Sequence, residues 1–261
     1  IEIGYRNGEG RSCGNLGRVF DSFGEYEKAK EYYEKALAIA IEIGDREGEG
    51  TTYGNLGGVF DFLGEYQKAK EYNEKRLAIA IEIGDSKGEG FAYMELGHVY
   101  YELSKNRLAK EHLDKAFGIS IAIGDKKLET LATLGLAGVS ASVNDSQKVK
   151  EYCEKALTIS RRCGDRKFEA QLYLNLGRLF KSLGECGKAA EYLQKACSIS
   201  SQIGHKMIEF ESLLSITVLK ISQSEAVEAK DYLLQCIGKY EQIRTLQKGN
   251  SGFQISLLEE H

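Results

Sequence analysis

The chain contains no proline and no tryptophan in 261 residues, and only two methionines. Without proline nothing forces a helix to kink or stop from inside, so helix ends must be written by other residues. Long apolar runs are also missing. The most apolar stretch, Leu131 to Val143, is 13 residues long and carries Thr133, Ser140 and Ser142. A spanning helix needs about 20 apolar residues, so membrane insertion is not expected. There is no excess of positive charge: the formal net charge is −4, and no global field would gather nucleic acid. The six cysteines, Cys13, Cys153, Cys163, Cys186, Cys197 and Cys236, include no CxxC pair. They read as small core residues of a cytoplasmic, reducing setting rather than a metal or redox centre.

What the chain does have is repetition. Ile-Gly falls at Ile3-Gly4, Ile43-Gly44, Ile83-Gly84, Ile123-Gly124 and Ile203-Gly204, with Cys163-Gly164 in the remaining slot. The period is 40 residues without an insertion, and residues 8–47 match 48–87 at 29 of 40 positions. A fixed period in this range means stacked modules, each leaving an apolar face for its neighbour. The expectation is one continuous all-α array of six units: 5–44, 45–84, 85–124, 125–164, 165–204 and 205–244. Residues 1–4 copy Ile41-Glu42-Ile43-Gly44 and read as the end of a preceding repeat, hence a fragment of a longer array. Residues 245–261 read as the end of the last helix, a linker at Gly249-Asn250-Ser251-Gly252, and a tail.

Within 45–84 the pattern is that of two helices. Gly44 can take the left-handed conformation that ends one helix, and Asp45 can cap the next; Asp85, Asp125 and Asp165 recur at that place. The first helix should run from Arg46 to Phe62 on an apolar stripe of Tyr53, Leu56, Gly57, Val59, Phe60 and Leu63. After a turn at Gly64-Glu65, the second should run from Tyr66 to Ile83, with Ala69, Tyr72, Leu77, Ala80 and Ile81 facing inward. Gly17, Gly57, Gly97 and Gly177 lie twelve residues before Ala29, Ala69, Ala109 and Ala189. A mid-helix glycine costs about 1 kcal/mol against alanine, so its repetition implies a close helix contact there.

The run Tyr53, Leu56, Gly57, Phe60 and Ala69 resembles the tetratricopeptide repeat, over nearly the whole chain. The resemblance implies a right-handed superhelical solenoid of antiparallel helix pairs whose first helices line a concave, peptide-binding face. Asn73 and Arg76 depart from the bulky apolar and small residues usual there, and imply a more exposed second helix in repeat 2. The 40-residue period, with Tyr53-Gly54-Asn55-Leu56-Gly57 and Ile83-Gly84-Asp85, is similar to the Pins/LGN type of G-protein-signalling modulator and to tetratricopeptide repeat protein 28-like long arrays. The tail from Tyr240 to His261 loosely resembles the segment that leads such arrays into a caspase-like CHAT domain. Repeat 4 is degenerate, with Ala137, Ser140 and Val149 at the glycine, aromatic and alanine positions. Repeat 6 has Thr217 and Lys220, which suits a solvated terminal cap.

The resemblance places the candidate binding residues on the first helices: Arg11, Asn15 and Arg18 in repeat 1; Asn55 in repeat 2; His98 in repeat 3; Gln171, Asn175, Arg178 and Lys181 in repeat 5. Asn15, Asn55 and Asn175 share one repeat position, interrupted by Glu95 and Gly135. A side-chain amide both donates and accepts, so such a row either brackets a peptide backbone or bonds the neighbouring repeat. The Arg11/Arg18 and Arg178/Lys181 pairs either meet a partner's carboxylates or form a solvated face. The chaperone-type carboxylate clamp is not matched, since its positions hold Gly14 with Arg18, Gly54 with Gly58, and Leu174 with Arg178. His112 replaces Tyr72, Tyr152 and Tyr192 and is expected to face the core, while His98 stands alone in the groove.

No phosphate-cradling loop, HxxxH pair or nucleophile elbow is present, so neither an enzyme nor a cofactor is expected. The first reading is a signalling scaffold that binds an extended, acidic peptide of a partner protein. The alternative is the regulatory arm of a larger protein carrying a caspase-like or G-protein-binding region. Self-association through exposed repeat ends is the third.

Overall fold

The computed structural model describes the backbone of residues 2–259 and the side chains of 5–162 and 164–245. Among them are twelve helices and no strand: α1 (Glu2–Ser22), α2 (Tyr26–Ile43), α3 (Arg46–Phe62), α4 (Tyr66–Ile83), α5 (Ser86–Glu102), α6 (Asn106–Ile123), α7 (Lys126–Ser142), α8 (Ser146–Cys163), α9 (Arg166–Ser182), α10 (Cys186–Gln202), α11 (Lys206–Ser222) and α12 (Ala226–Glu259). The array expected to be unbroken divides into two compact units, Ile1–Ile159 and Ser160–His261. The division falls in repeat 4, whose small and aromatic positions are replaced by Ala137, Ser140 and Val149.

The helix ends between repeats have their own devices. Between repeats, Gly44, Gly84 and Gly124 adopt φ near +71° and return their N–H to the helix just ended. The next residue then caps the following helix. The Asp45 carboxylate accepts the Gly48 N–H at 2.9 Å, Asp85 that of Gly88 at 2.9 Å, and Asp165 that of Phe168 at 3.0 Å. His205 takes this role in repeat 6, its Nδ1 accepting from Ile208 N–H at 3.3 Å. Tyr5 stands where these caps would stand. A tyrosine there offers no short side-chain acceptor, and α1 runs unbroken from Glu2 through Gly4 instead of ending an earlier helix. Likewise α12 continues through Gly249–Gly252, where a linker was expected. Glycine weakens a helix without removing a hydrogen bond, and no proline stops this one. The tail beyond Glu259 lies outside the described residues.

Among the described residues successive helices from α1 to α7 pack on one another, as do those from α9 to α12, and the odd helices also touch: α1 with α3, α3 with α5 and α5 with α7 in the first unit, α9 with α11 in the second. Among the described residues the pairs α2 with α4, α4 with α6 and α10 with α12 make no comparable contacts, so the odd helices form the tighter, inner layer. The core is a row of clusters joining successive repeats. Ala29 and Tyr33 meet Leu56 and Val59, and Phe60 and Ala69 meet Val99.

The helical glycines mark the closest approach, and their nearest neighbour is the residue one turn beyond the alanine twelve residues on; at Gly97 the carbonyl of that alanine, Ala109, is also near, at 3.3 Å from a built Cβ. A Cβ built on Gly17, Gly57, Gly97 or Gly177 would come within 2.6–2.7 Å of the side chain of Tyr33, Asn73, Leu113 or Leu193. Each of those residues is one turn beyond the alanine and inserts over the glycine. In α4 the buried face is therefore Ala69, Asn73, Ile79 and Ala80. Ile81, expected inside, is 56% exposed, because it lies about 100° around the helix from Ala80. Asn73 and Arg76, expected exposed, are not: Asn73 is 1% exposed and the Arg76 side chain 18%. Packing against Gly57 seats Asn73 whatever its polarity, and its Oδ1 is buried without a partner among the described residues.

Repeat 6 lacks the expected polar cap. Thr217 is buried and bonded to the Leu213 carbonyl, and Lys220 pairs with Glu225 and Glu228, while Leu233, Leu234 and Ile237 are exposed on α12. Cys153 and Cys236 are buried as small core residues; Cys13, Cys186 and Cys197 are only half-buried. The Cys163 side chain is outside the described residues. His112 is seated as expected, its Nδ1 2.9 Å from the Leu108 carbonyl and its ring against Tyr100.

Two stability changes follow. Gly57→Leu drives a branched side chain into Asn73 and should lower stability by about 1–3 kcal/mol; a melting temperature equal to the parent's would refute this packing. Ser104 sits at φ +58°, where Gly24, Gly64 and Gly184 have φ of +73° to +74°. Left-handed backbone costs a non-glycine residue about 1–2 kcal/mol, so Ser104→Gly should raise the denaturation midpoint by the equivalent of about 1 kcal/mol.

Candidate functional site

The inner surface of the first unit is built from one-residue-per-turn positions of α1, α3 and α5. It brings Arg11, Asn15, Arg18 and Asn55 to the wall of one recess of ≈600 Å³, floored by Gly10, Gly14 and Ala36. Arg11 makes no ion pair with a described residue. Arg18 donates to the Asn15 Oδ1 at 2.6 Å and has no carboxylate partner among the described residues. Asn55 is half-buried and makes no side-chain hydrogen bond among the described residues. None of the three repeated asparagines bonds a described residue of a neighbouring repeat: Asn15 meets Arg18, and Asn175 accepts from Gln171 at 3.4 Å in its own helix.

Farther along the same surface the charge reverses. His98 is not alone, for its Nδ1 lies 3.3 Å from Asp61 on α3 and its Nε2 3.6 Å from Glu102. Those carboxylates, Asp61 foremost, hold the imidazole above its ordinary value, against the pull of burial. Glu95 meets Arg76 at 2.7 Å, yet burial lifts its carboxyl above the usual range. Arg76 crosses from α4 over Gly54 to reach it, with its guanidinium 6.0 Å from the Phe91 ring. The single-residue reading missed this Asp61–His98–Glu102 and Arg76–Glu95 network. Its signals were visible as departures from the repeat, Arg76 for alanine and Glu95 for asparagine, but the pairing across helices was not.

In the second unit Arg178 is already engaged, with Glu211 at 3.1 Å and the Ser215 hydroxyl at 3.3 Å. Lys181 lies beside it, and both border a ≈390 Å³ depression with Leu214 and Val218. Gln171 is half-buried one turn before Asn175. Among the described residues no group of three or more His, Cys, Asp or Glu could hold a metal ion, and no helix is long and apolar enough to cross a membrane.

The geometry of paired helices with glycine-seated knobs and an odd-helix inner layer can be set beside known proteins. One profile described as tetratricopeptide repeat matches residues 4–82 and 147–202, and a second matches 92–120. The chain belongs to the tetratricopeptide repeat family. Among solved structures, the apo form of RapI is similar with a TM-score of 0.70 at 18% identity, over 91% of this chain and 85% of that one. A Rap protein complexed with competence and sporulation factor gives 0.65 at 15%, over 95% and 79%. Nearly identical TPR-like repeats of a putative kinesin light chain from Podosopora anserina give 0.53 at 19%, over 74% and 95%. At these identities the likeness is one of fold. A comparison with curated protein sequences finds no match.

The His98 contacts make stability depend on pH. Because its partners favour the charged ring, the contribution is complete below the ordinary histidine value of 6.5 and is lost as pH rises through the higher folded-state value. The melting-temperature gap between the parent and His98→Gln should therefore be larger at pH 5.5 than at pH 8.5. A gap that is flat or grows with pH would contradict the assignment.

Proposed function

We propose that this tetratricopeptide repeat chain is a protein-interaction scaffold whose inner helices hold an extended peptide segment of a partner protein. The observation that carries this reading is Asn55, which presents an amide donor and acceptor in the wall of a recess with no partner among the described residues. A buried or half-buried polar group that the fold leaves unpaired is one a ligand can satisfy with gain, and an extended backbone offers the complementary groups. The solved Rap protein complexed with competence and sporulation factor supports a binding role for this fold. An acidic preference belongs to the α1 end, where Arg11 and Arg18 lack carboxylate partners among the described residues; around Asp61, Glu95 and Glu102 an acidic segment would be repelled.

In this reading the six 40-residue units from 5 to 244 are the working array, and residues 245–261 extend from it. A reducing, cytoplasmic setting suits the free thiols at Cys13, Cys153, Cys186, Cys197 and Cys236. The similarity to Pins/LGN-type and protein 28-like arrays fits a signalling adaptor.

The test is a peptide array probed with the purified chain and with Asn55→Ala and Asn175→Ala, each variant addressing its own unit. Peptides bound by the parent should lose at least fivefold in affinity with Asn55→Ala. Affinities within twofold of the parent's for both variants would remove the amides from the binding mechanism.

A further inference from the structure

The recess at α1, α2 and α3 exists because two small residues coincide. The position of Gly14 is held by Gly54, Met94, Leu134 and Leu174 in the following repeats, and that of Ala36 by Arg76, Ala116, Ala156 and Ala196. In repeats 3, 4 and 5 the larger residue stands at the first position. In repeat 2 the first position is glycine, but Arg76 fills the space, its Nη1 2.7 Å from where a Gly54 Cβ would be. Repeat 1 has neither filler. A Cβ on Gly14 would find only the Ala36 Cβ, at 4.0 Å. The opening at the next repeat, ≈650 Å³, is lined by Arg76 and Phe91 and does not reach Gly54 or Asn55.

The floor left open in repeat 1 is made of small and aliphatic residues, Gly14, Ala36 and Ile39 among them. Its α1 rim carries Arg11 and Arg18, whose guanidinium groups have no carboxylate partner among the described residues, unlike those of Arg6, Arg46 and Arg76, each tied to a glutamate. The opposite rim carries Asp45, engaged in capping α3, and Glu47. Carboxylates of a ligand would therefore turn toward α1. Arg11 and Arg18 are seven residues apart, roughly 10 Å along the helix at about 1.5 Å per residue. An extended chain covers that distance in about three residues, at about 3.3–3.6 Å each.

We propose that this recess is the anchor pocket for the partner peptide, taking a bulky aliphatic or aromatic side chain flanked by two carboxylates about three residues apart. Arg11 and Arg18 receive the carboxylates, and Asn55 brackets the backbone between them. The inference rests on the peptide-scaffold reading and specifies its ligand: an acidic–apolar–x–acidic segment. Arg76 is the chain's own stand-in at the neighbouring repeat, a long side chain lying in the equivalent space and held there by Glu95 at 2.7 Å.

The probe is the peptide acetyl-Ser-Gly-Glu-Leu-Ser-Glu-Gly-Ser-amide, fluorescently labelled and titrated by anisotropy against the full chain. Controls replace its leucine by glycine or both glutamates by glutamine. The parent chain should bind the probe at least tenfold more tightly than either control, with an affinity that falls as salt is raised. Gly14→Met fills the recess with the residue that Met94 supplies in repeat 3, and should weaken binding at least tenfold without lowering the melting temperature. Arg11→Gln with Arg18→Gln should weaken it similarly and remove the salt dependence.

Binding of the probe by Gly14→Met within twofold of the parent overturns the anchor pocket. So does failure of the parent to prefer the probe over its controls. If array peptides of other composition are then still lost by Asn55→Ala, the scaffold reading survives without this pocket; if Asn55→Ala changes nothing either, both fail.

Discussion

The contact on which the structure depends is a glycine in the first helix of repeats 1, 2, 3 and 5 that faces a side chain from the second. Gly17 with Tyr33, Gly57 with Asn73, Gly97 with Leu113 and Gly177 with Leu193 bring two backbones close enough for a side chain to insert between them. The cost is about 1 kcal/mol of helix propensity per glycine. It is offset because the inserted residue is almost wholly buried, as for Tyr33, Leu113 and Leu193, where a fully buried large apolar side chain contributes about 1.5–3 kcal/mol. Once each pair is locked, its remaining apolar stripe has only the next repeat to cover it.

That lock tolerates the wrong chemistry on one side, and repeat 2 shows it. Asn73 keeps the place of an apolar knob while its Oδ1 has no partner among the described residues, and Arg76 keeps the place of an alanine by leaving the core across Gly54 toward Glu95. The result changes the inner surface rather than the fold. The space beside Gly54 is filled by Arg76, its counterpart beside Gly14 and Ala36 stays open, and a cationic α1 rim is followed by an anionic stretch around Asp61 and Glu102. Diversity among near-identical repeats is thus written on positions that the pair lock does not use.

Much of the candidate site was legible in the repeat register, because residues 40 apart share one environment. Arg11, Asn15, Arg18 and Asn55 could be placed on one surface from their positions alone. Register says nothing about pairing, however. His98 looked solitary because Asp61 lies 37 residues away in another helix, and Arg178 looked available although Glu211 and Ser215 of the next repeat hold it. Such contacts depend on which rotamer a long side chain takes between two packed helices, a matter of space rather than of spacing.

The amino-acid sequence by itself determined the helices, their ends and their order. Those are set by local rules: an αL glycine, an aspartate one residue later, and apolar residues at helical spacing. Even there, Tyr5 in place of a capping aspartate let α1 run on through Gly4, and glycines without a proline did not end α12. Only the tertiary structure decided that Ile81 faces out while Asn73 faces in, that the core glycines meet the residue a turn beyond the alanine, and that a cavity opens at Gly14. Burial follows from the volume left between neighbouring helices, and that volume is known only once both backbones are in place.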